Sequence, residues 1–102
     1  MLRNLSAEQL QQMNEGNSLV YFYTPLCGTC AKAERLLNLT LEAMPGVCVY
    51  ACNLNFAPEV AIRWKIESVP CLIRLRNGDA EAICYAFEPL TRIYDFIKKH
   101  AN

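Results

Sequence analysis

The sequence predicts an α/β fold, a central mixed sheet of four to five strands flanked by helices on both faces. Three observations carry that reading. The runs SLVYFYT (18–24) and VCVYACNL (47–54) are continuously apolar, β-branched or aromatic, which marks strands buried on both faces as in a parallel sheet. A helical period lies between them, and a right-handed crossover of that kind joins parallel strands. Near the C-terminus, Asn77-Gly78 stands between two apolar runs as a two-residue hairpin turn, so the strands beside it must be antiparallel. At 102 residues the chain reads as one domain, residues 1–102, large enough to bury a core without staples.

Each element has its own local reason. Ser6 with Gln9 three residues on is a capping-box signature. Leu10 and Met13 then keep an apolar face until Gly16-Asn17 stops the first helix. The first strand follows and ends at Pro25. From Gly28 or Thr29, Ala33, Leu37, Leu41 and Met44 form a helical stripe with Leu36 and Thr40 beside it. Pro45-Gly46 terminates it. After the second strand, Pro58 suits the first turn of a short helix through Val60, Ala61 and Trp64, with Trp64 expected in the core. Leu90, Ile93, Tyr94 and Ile97 stand at i, i+3, i+4, i+7 and mark a closing amphipathic helix. Lys98, Lys99 and His100 in its last turn complement the dipole, and His100 is expected to be solvated.

Composition excludes several classes of function. Ten Lys and Arg balance ten Asp and Glu, so no basic surface calls for nucleic acid or an anionic membrane. The apolar runs fall far short of a membrane span. The first 17 residues lack the apolar core of a secretion signal, and the expected location is cytoplasmic.

Six cysteines stand at 27, 30, 48, 52, 71 and 84. Free cysteine packs as a small hydrophobe, and Cys48, Cys52 and Cys84, which lie in apolar runs, are expected to be reduced and inert. Cys27 and Cys30 differ: they sit where a buried strand gives way to a long helix. The carboxyl ends of such strands collect functional sites. A helix start has free N–H groups and partial positive charge, which lowers a thiol pKa into the range of about 3.5–7.5. Cys30, one turn further in, should be less exposed and able to attack a mixed disulfide formed at Cys27. A structural zinc site wants four ligands, and Cys48 with Cys52 do not supply a second loop pair. A purely stabilising disulfide closing so small a loop removes little chain entropy. Two-electron exchange is the leading reading of the pair.

Three stretches in order, VYFYTPLCGTC, IESVPC and RLRNGD, resemble the thioredoxin family, over about residues 19 to 97. The resemblance implies the thioredoxin-like fold, usually with an extra N-terminal strand, for which only Leu2 to Asn4 are available. It implies that Pro70 is cis and faces the thiols. The backbone of Val69 would pair with an extended substrate strand. Leu26, Gly28, Thr29, Val69 and Pro70 form the expected substrate-binding set, with Thr24 and Pro25 extending the apolar surface.

The sequence also departs from that family. Leu26 stands where a tryptophan is usual. Tyr21 stands where a buried aspartate relays the second thiol's proton, and Ala51 at the likely place of its lysine partner. Tyr21, with a pKa near 10, is a poor base at neutral pH, and its plainer reading is core packing. Thr29 replaces a common proline, leaving an N–H available and favouring the reduced state of the pair. Cys71 replaces a common threonine directly after Pro70. A buried small side chain is its simplest reading; an alternative disulfide or a ligand to metal or an iron–sulfur cluster is the other.

The function expected from this reading is a thiol–disulfide oxidoreductase. Cys27 attacks a protein disulfide, Cys30 resolves it, and a reductase or low-molecular-weight thiol restores the dithiol. No cofactor, nucleic acid or membrane is called for, and a monomer is expected. The alternative is a non-catalytic or metal-holding module, with iron–sulfur binding included, that keeps the fold for binding.

Overall fold

In the computed structural model, residues 1–101 are described. The elements run β1 (Leu2–Asn4), α1 (Ala7–Gln11), β2 (Asn17–Tyr23), α2 (Gly28–Glu42), β3 (Val49–Asn53), a single 3-10 turn (Leu54–Phe56), α3 (Pro58–Arg63), β4 (Cys71–Arg76), β5 (Asp79–Cys84) and α4 (Leu90–His100). The five strands form one mixed sheet in the order β1-β3-β2-β4-β5. β3 runs parallel to β1 and β2, while β4 runs antiparallel to β2 and β5. The short strand available at the N-terminus is therefore used, as the edge of the sheet.

Register explains how the sheet divides the core. Tyr21 lies between Ala51 and Leu72, and Phe22 between Cys52 and Cys71. Successive strand residues point to opposite faces. The Tyr21 row meets Ala33, Leu37 and Leu41 of α2 and Ile93 and Ile97 of α4. The Phe22 row meets Leu10, Val60 and Trp64 from α1 and α3. Burying each large apolar side chain is worth about 1.5–3 kcal/mol, so the two rows fix the register firmly: a one-residue slip would exchange the faces.

The local signals act as the residue types require. Ser6 accepts from the Gln9 N–H at 3.1 Å while Gln9 accepts from the Ser6 N–H at 2.9 Å. Pro58 occupies the first turn of α3. The hairpin turns through Asn77 (φ 51°) and Gly78 (φ 85°), the left-handed conformations a two-residue turn needs. The indole of Trp64 is buried and donates to the Gly78 carbonyl at 3.3 Å.

Three expectations are corrected. Strand β3 begins at Val49 rather than Val47, which leaves Cys48 exposed in the preceding loop instead of packed. The buried stripe of α4 is Ile93 and Ile97 with Phe96 half-buried beside them, while Leu90 and Tyr94 face outward. His100 is half-buried, lies against Phe96 at 4.6 Å and contacts the Arg74 guanidinium at 3.3 Å. Burial and that neighbouring cation lower its pKa, so it is not simply solvated.

Candidate active site

The sheet ends β2 at Tyr23, and Thr24 to Leu26 carry the chain over to α2. The Cys27 N–H donates to the Thr24 carbonyl at 3.3 Å, a tight turn that places Cys27 as the N-cap of α2. Its sulfur accepts the Cys30 N–H at 3.1 Å. A capping position ordinarily belongs to Ser, Thr, Asp or Asn, because an oxygen there satisfies a free N–H. A sulfur in that place receives the same N–H and sits at the positive end of a 15-residue helix. No acidic residue lies in the first turn to offset that charge.

Cys27 and Cys30 are joined as a disulfide, with Cα atoms 5.2 Å apart. The two sulfurs are not equivalent. Cys27 is half-buried at the surface, whereas Cys30 is 4% exposed. The Thr29 hydroxyl lies 3.2 Å from the Cys27 sulfur, and the Val69 carbonyl lies 4.0 Å from it. The Val69–Pro70 bond is cis, as the resemblance implied. The Glu88–Pro89 bond is also cis, which the sequence reading did not anticipate.

Of the residues expected to bind substrate, Thr29 and Val69 stand directly against the Cys27 sulfur. Pro70 and Thr29 line a groove on one side of it, walled further by Ala33, Leu36, Tyr85 and Phe87. Lys32 and Glu88 close its rim as an ion pair. Gly28 is the first residue of α2 and is exposed. Leu26 is 100% exposed, an unsupported apolar side chain beside the thiols where a flat aromatic was usual. Tyr85 and Phe87 escaped the sequence reading because they follow the hairpin with no motif of their own. Only their position beyond β5, which pairs with β4, the strand that begins directly after Pro70, would have pointed to them.

On the other side of the disulfide a second cleft of about 230 Å³ is lined by Tyr21, Tyr23, Cys27, Cys30 and Glu34, among others. Tyr21 is buried, and its hydroxyl donates to the Cys30 carbonyl at 2.9 Å. Burial, then the Glu34 charge, pushes the phenol well above its ordinary pKa. It stays protonated and is a donor, not a base. The core-packing reading of Tyr21 holds, with Tyr23 stacked at 5.8 Å and Phe87 edge-on at 5.9 Å.

Cys71 is wholly buried among the Phe22 row. Burial, followed by its neighbour Cys84, pushes its thiol up to about 12. Among the described residues, no three His, Cys, Asp or Glu side chains converge to hold a metal ion, and no helix is long and apolar enough to cross a membrane.

Comparison with known proteins agrees with this geometry. Residues 4–99 match the family model Thioredoxin. The chain is 34% identical to the thioredoxin-like protein YusE of Bacillus subtilis (strain 168) over 101 residues, 99% of this chain and 95% of that protein. It is 24% identical to the thioredoxin of the same organism over 90 residues, covering 87% of this chain and 86% of that one. The chloroplastic M-type thioredoxin of Spinacia oleracea is 28% identical over 85 residues, 82% of this chain and 47% of that longer protein.

Proposed function

The chain belongs to the thioredoxin family and is a thiol–disulfide oxidoreductase; on that premise we propose that it is a protein-disulfide reductase, with Cys27 as the attacking sulfur and Cys30 as the resolving one. The observation that carries the assignment is the unequal setting of the two sulfurs. Cys27 reaches the surface as the cap of α2 and receives an N–H, while Cys30 is buried one turn behind it. A capping thiolate is stabilised by the helix end, and the thiolate is the nucleophile.

The reaction follows from that placement. The Cys27 thiolate attacks one sulfur of a substrate disulfide, and the other sulfur leaves. A mixed disulfide forms at Cys27. Cys30 then attacks the Cys27 sulfur, which closes the bond seen in the structure and releases the second substrate sulfur as a thiol. An extended substrate strand would lie along the Val69 backbone, with Leu26, Gly28, Thr29 and Pro70 forming the surface beneath it. The family works with disulfide substrates and a reductase; here a reductase or a low-molecular-weight thiol restores the dithiol, so the chain passes electrons between them. Exposed Cys48 suits a reducing compartment such as the cytoplasm, and the protein is taken to act as a monomer.

Insulin reduction tests the assignment. Cys27→Ser is expected to abolish it, and Cys30→Ser to stop after one turnover with substrate held on Cys27. A Cys27→Ser protein that reduces insulin at the wild-type rate would refute it.

A further inference from the structure

The resolving step needs a proton acceptor. Cys30 is buried and its attack requires the thiolate. The backbone N–H that stabilises a thiolate at Cys27 belongs to Cys30 itself, so it does nothing for the Cys30 sulfur. The nearest hydroxyl of β2, Tyr21, is committed as a donor to the Cys30 carbonyl. Its phenol is held in the protonated form by burial and by the Glu34 charge.

One carboxylate lines the cleft that Cys27 and Cys30 also line. Glu34 lies four residues after Cys30 in α2, hence on the same helix face one turn on. It is exposed to solvent at the mouth, and the cleft of about 230 Å³ leaves room for water between them. The other titratable groups here are Tyr21 and Tyr23 from β2 and Cys27 at the helix start. Cys71 lies behind Tyr21 on β4. Lys32 points into the opposite groove, where Glu88 pairs with it.

We propose that Glu34 is the proton acceptor for Cys30, reached through water in the cleft beneath the disulfide. The inference rests on the exchange chemistry proposed above and adds a residue to it. The Cys30 S–H proton passes through water to the Glu34 carboxylate. The Cys30 thiolate attacks the Cys27 sulfur, the Cys27–substrate bond breaks and the Cys27–Cys30 bond forms. The departing substrate thiolate takes the proton back from the Glu34 carboxyl. The dithiol is oxidised, the substrate disulfide is reduced, and Glu34 ends as it began.

Stopped-flow reaction of the reduced full chain with the aromatic disulfide DTNB separates the two steps, because each releases one coloured thiolate. A background carrying Cys48→Ser and Cys84→Ser removes the exposed and half-buried thiols outside the site. The first phase is Cys27 attack and the second is resolution by Cys30. Glu34→Gln is expected to leave the first phase unchanged and to slow the second at neutral pH by about 10²-fold, the low end for a positioned acid–base group. Glu34→Asp should restore most of the rate. The gap should narrow as pH rises, because hydroxide then removes the Cys30 proton without the carboxylate. A second phase identical in Glu34→Gln and parent at every pH, or equal slowing of both phases, overturns the inference. A parent protein with no first phase would sink the exchange reading, and this inference with it.

Discussion

Two cysteines of this fold, both close to the same strand end, occupy opposite chemical worlds. Cys27 caps a helix, is half-buried and receives a backbone N–H. Cys71 follows Pro70, is wholly enclosed, and has its thiol pushed up to about 12 by burial and by Cys84. The residue type is the same, so placement alone sets reactivity. A sulfur at a helix start has the charge of its thiolate balanced by peptide dipoles. A sulfur inside an apolar row would carry that charge with nothing to solvate it.

The largest effect expected from this contrast is in alkylation. At neutral pH the thiolate fraction of Cys71 is about one part in 10⁵, since each pKa unit is a factor of about ten and burial sets its pKa at about 12. Cys27 caps α2, and the helix end stabilises its thiolate. Limiting iodoacetamide on the reduced native protein, mapped by mass spectrometry, should modify Cys27 and leave Cys71 untouched until the chain unfolds. Modification of Cys71 at a rate within tenfold of Cys27 would erase the comparison.

A second consequence appears in alkaline stability. The folded pKa of Cys71 lies above its unfolded value, so the folded state holds the proton more tightly. Its contribution is complete below about pH 9 and is lost as pH rises from about 9 to about 12. Each unit of that window is worth about 1.4 kcal/mol, so the whole amounts to a few kcal/mol. Cys52 and Cys84 are shifted the same way by burial. Urea midpoints measured between pH 7 and 11 should hold up to about pH 9 and fall above it in the wild type, and fall distinctly less steeply in Cys71→Ala, whatever offset the lost sulfur causes at pH 7. Parallel curves would show that Cys71 does not resist ionisation as its burial requires.

The same contrast explains which parts of the molecule were legible before the structure. The strands were, because Leu19 to Phe22 are buried, as are Val49, Ala51 and Cys52 with Tyr50 half-buried among them, and only a continuous apolar run satisfies that. The hairpin was, because Asn77 and Gly78 adopt φ values few other residues accept. Cys27 was, because a strand end followed by a helix start is visible in the pattern. The face of α4 was not: Tyr94 and Phe96 flank the Ile93–Ile97 line on either side, and apolar spacing alone does not choose between them. Glu34 was not, because a glutamate on a long helix reads as solvated surface. Only its spacing of four from Cys30, taken with the cleft between α2 and β2, gives it meaning. His100 was missed because its partner Arg74 is 26 residues away in sequence.

The smallest expected effect is at Tyr21, and it separates structural from chemical roles around Cys30. The Tyr21 hydroxyl makes one hydrogen bond, to the Cys30 carbonyl, while its ring packs between Ala51 and Leu72 and against Tyr23 and Phe87. Tyr21→Phe keeps the ring contacts and removes the bond, a loss of about 1 kcal/mol. Denaturant unfolding should register that loss. The second DTNB phase should not change by more than a few-fold, because a phenol that stays protonated takes no proton from Cys30. A slowing of that phase as large as the one expected for Glu34→Gln would move the proton acceptor from the helix to the strand.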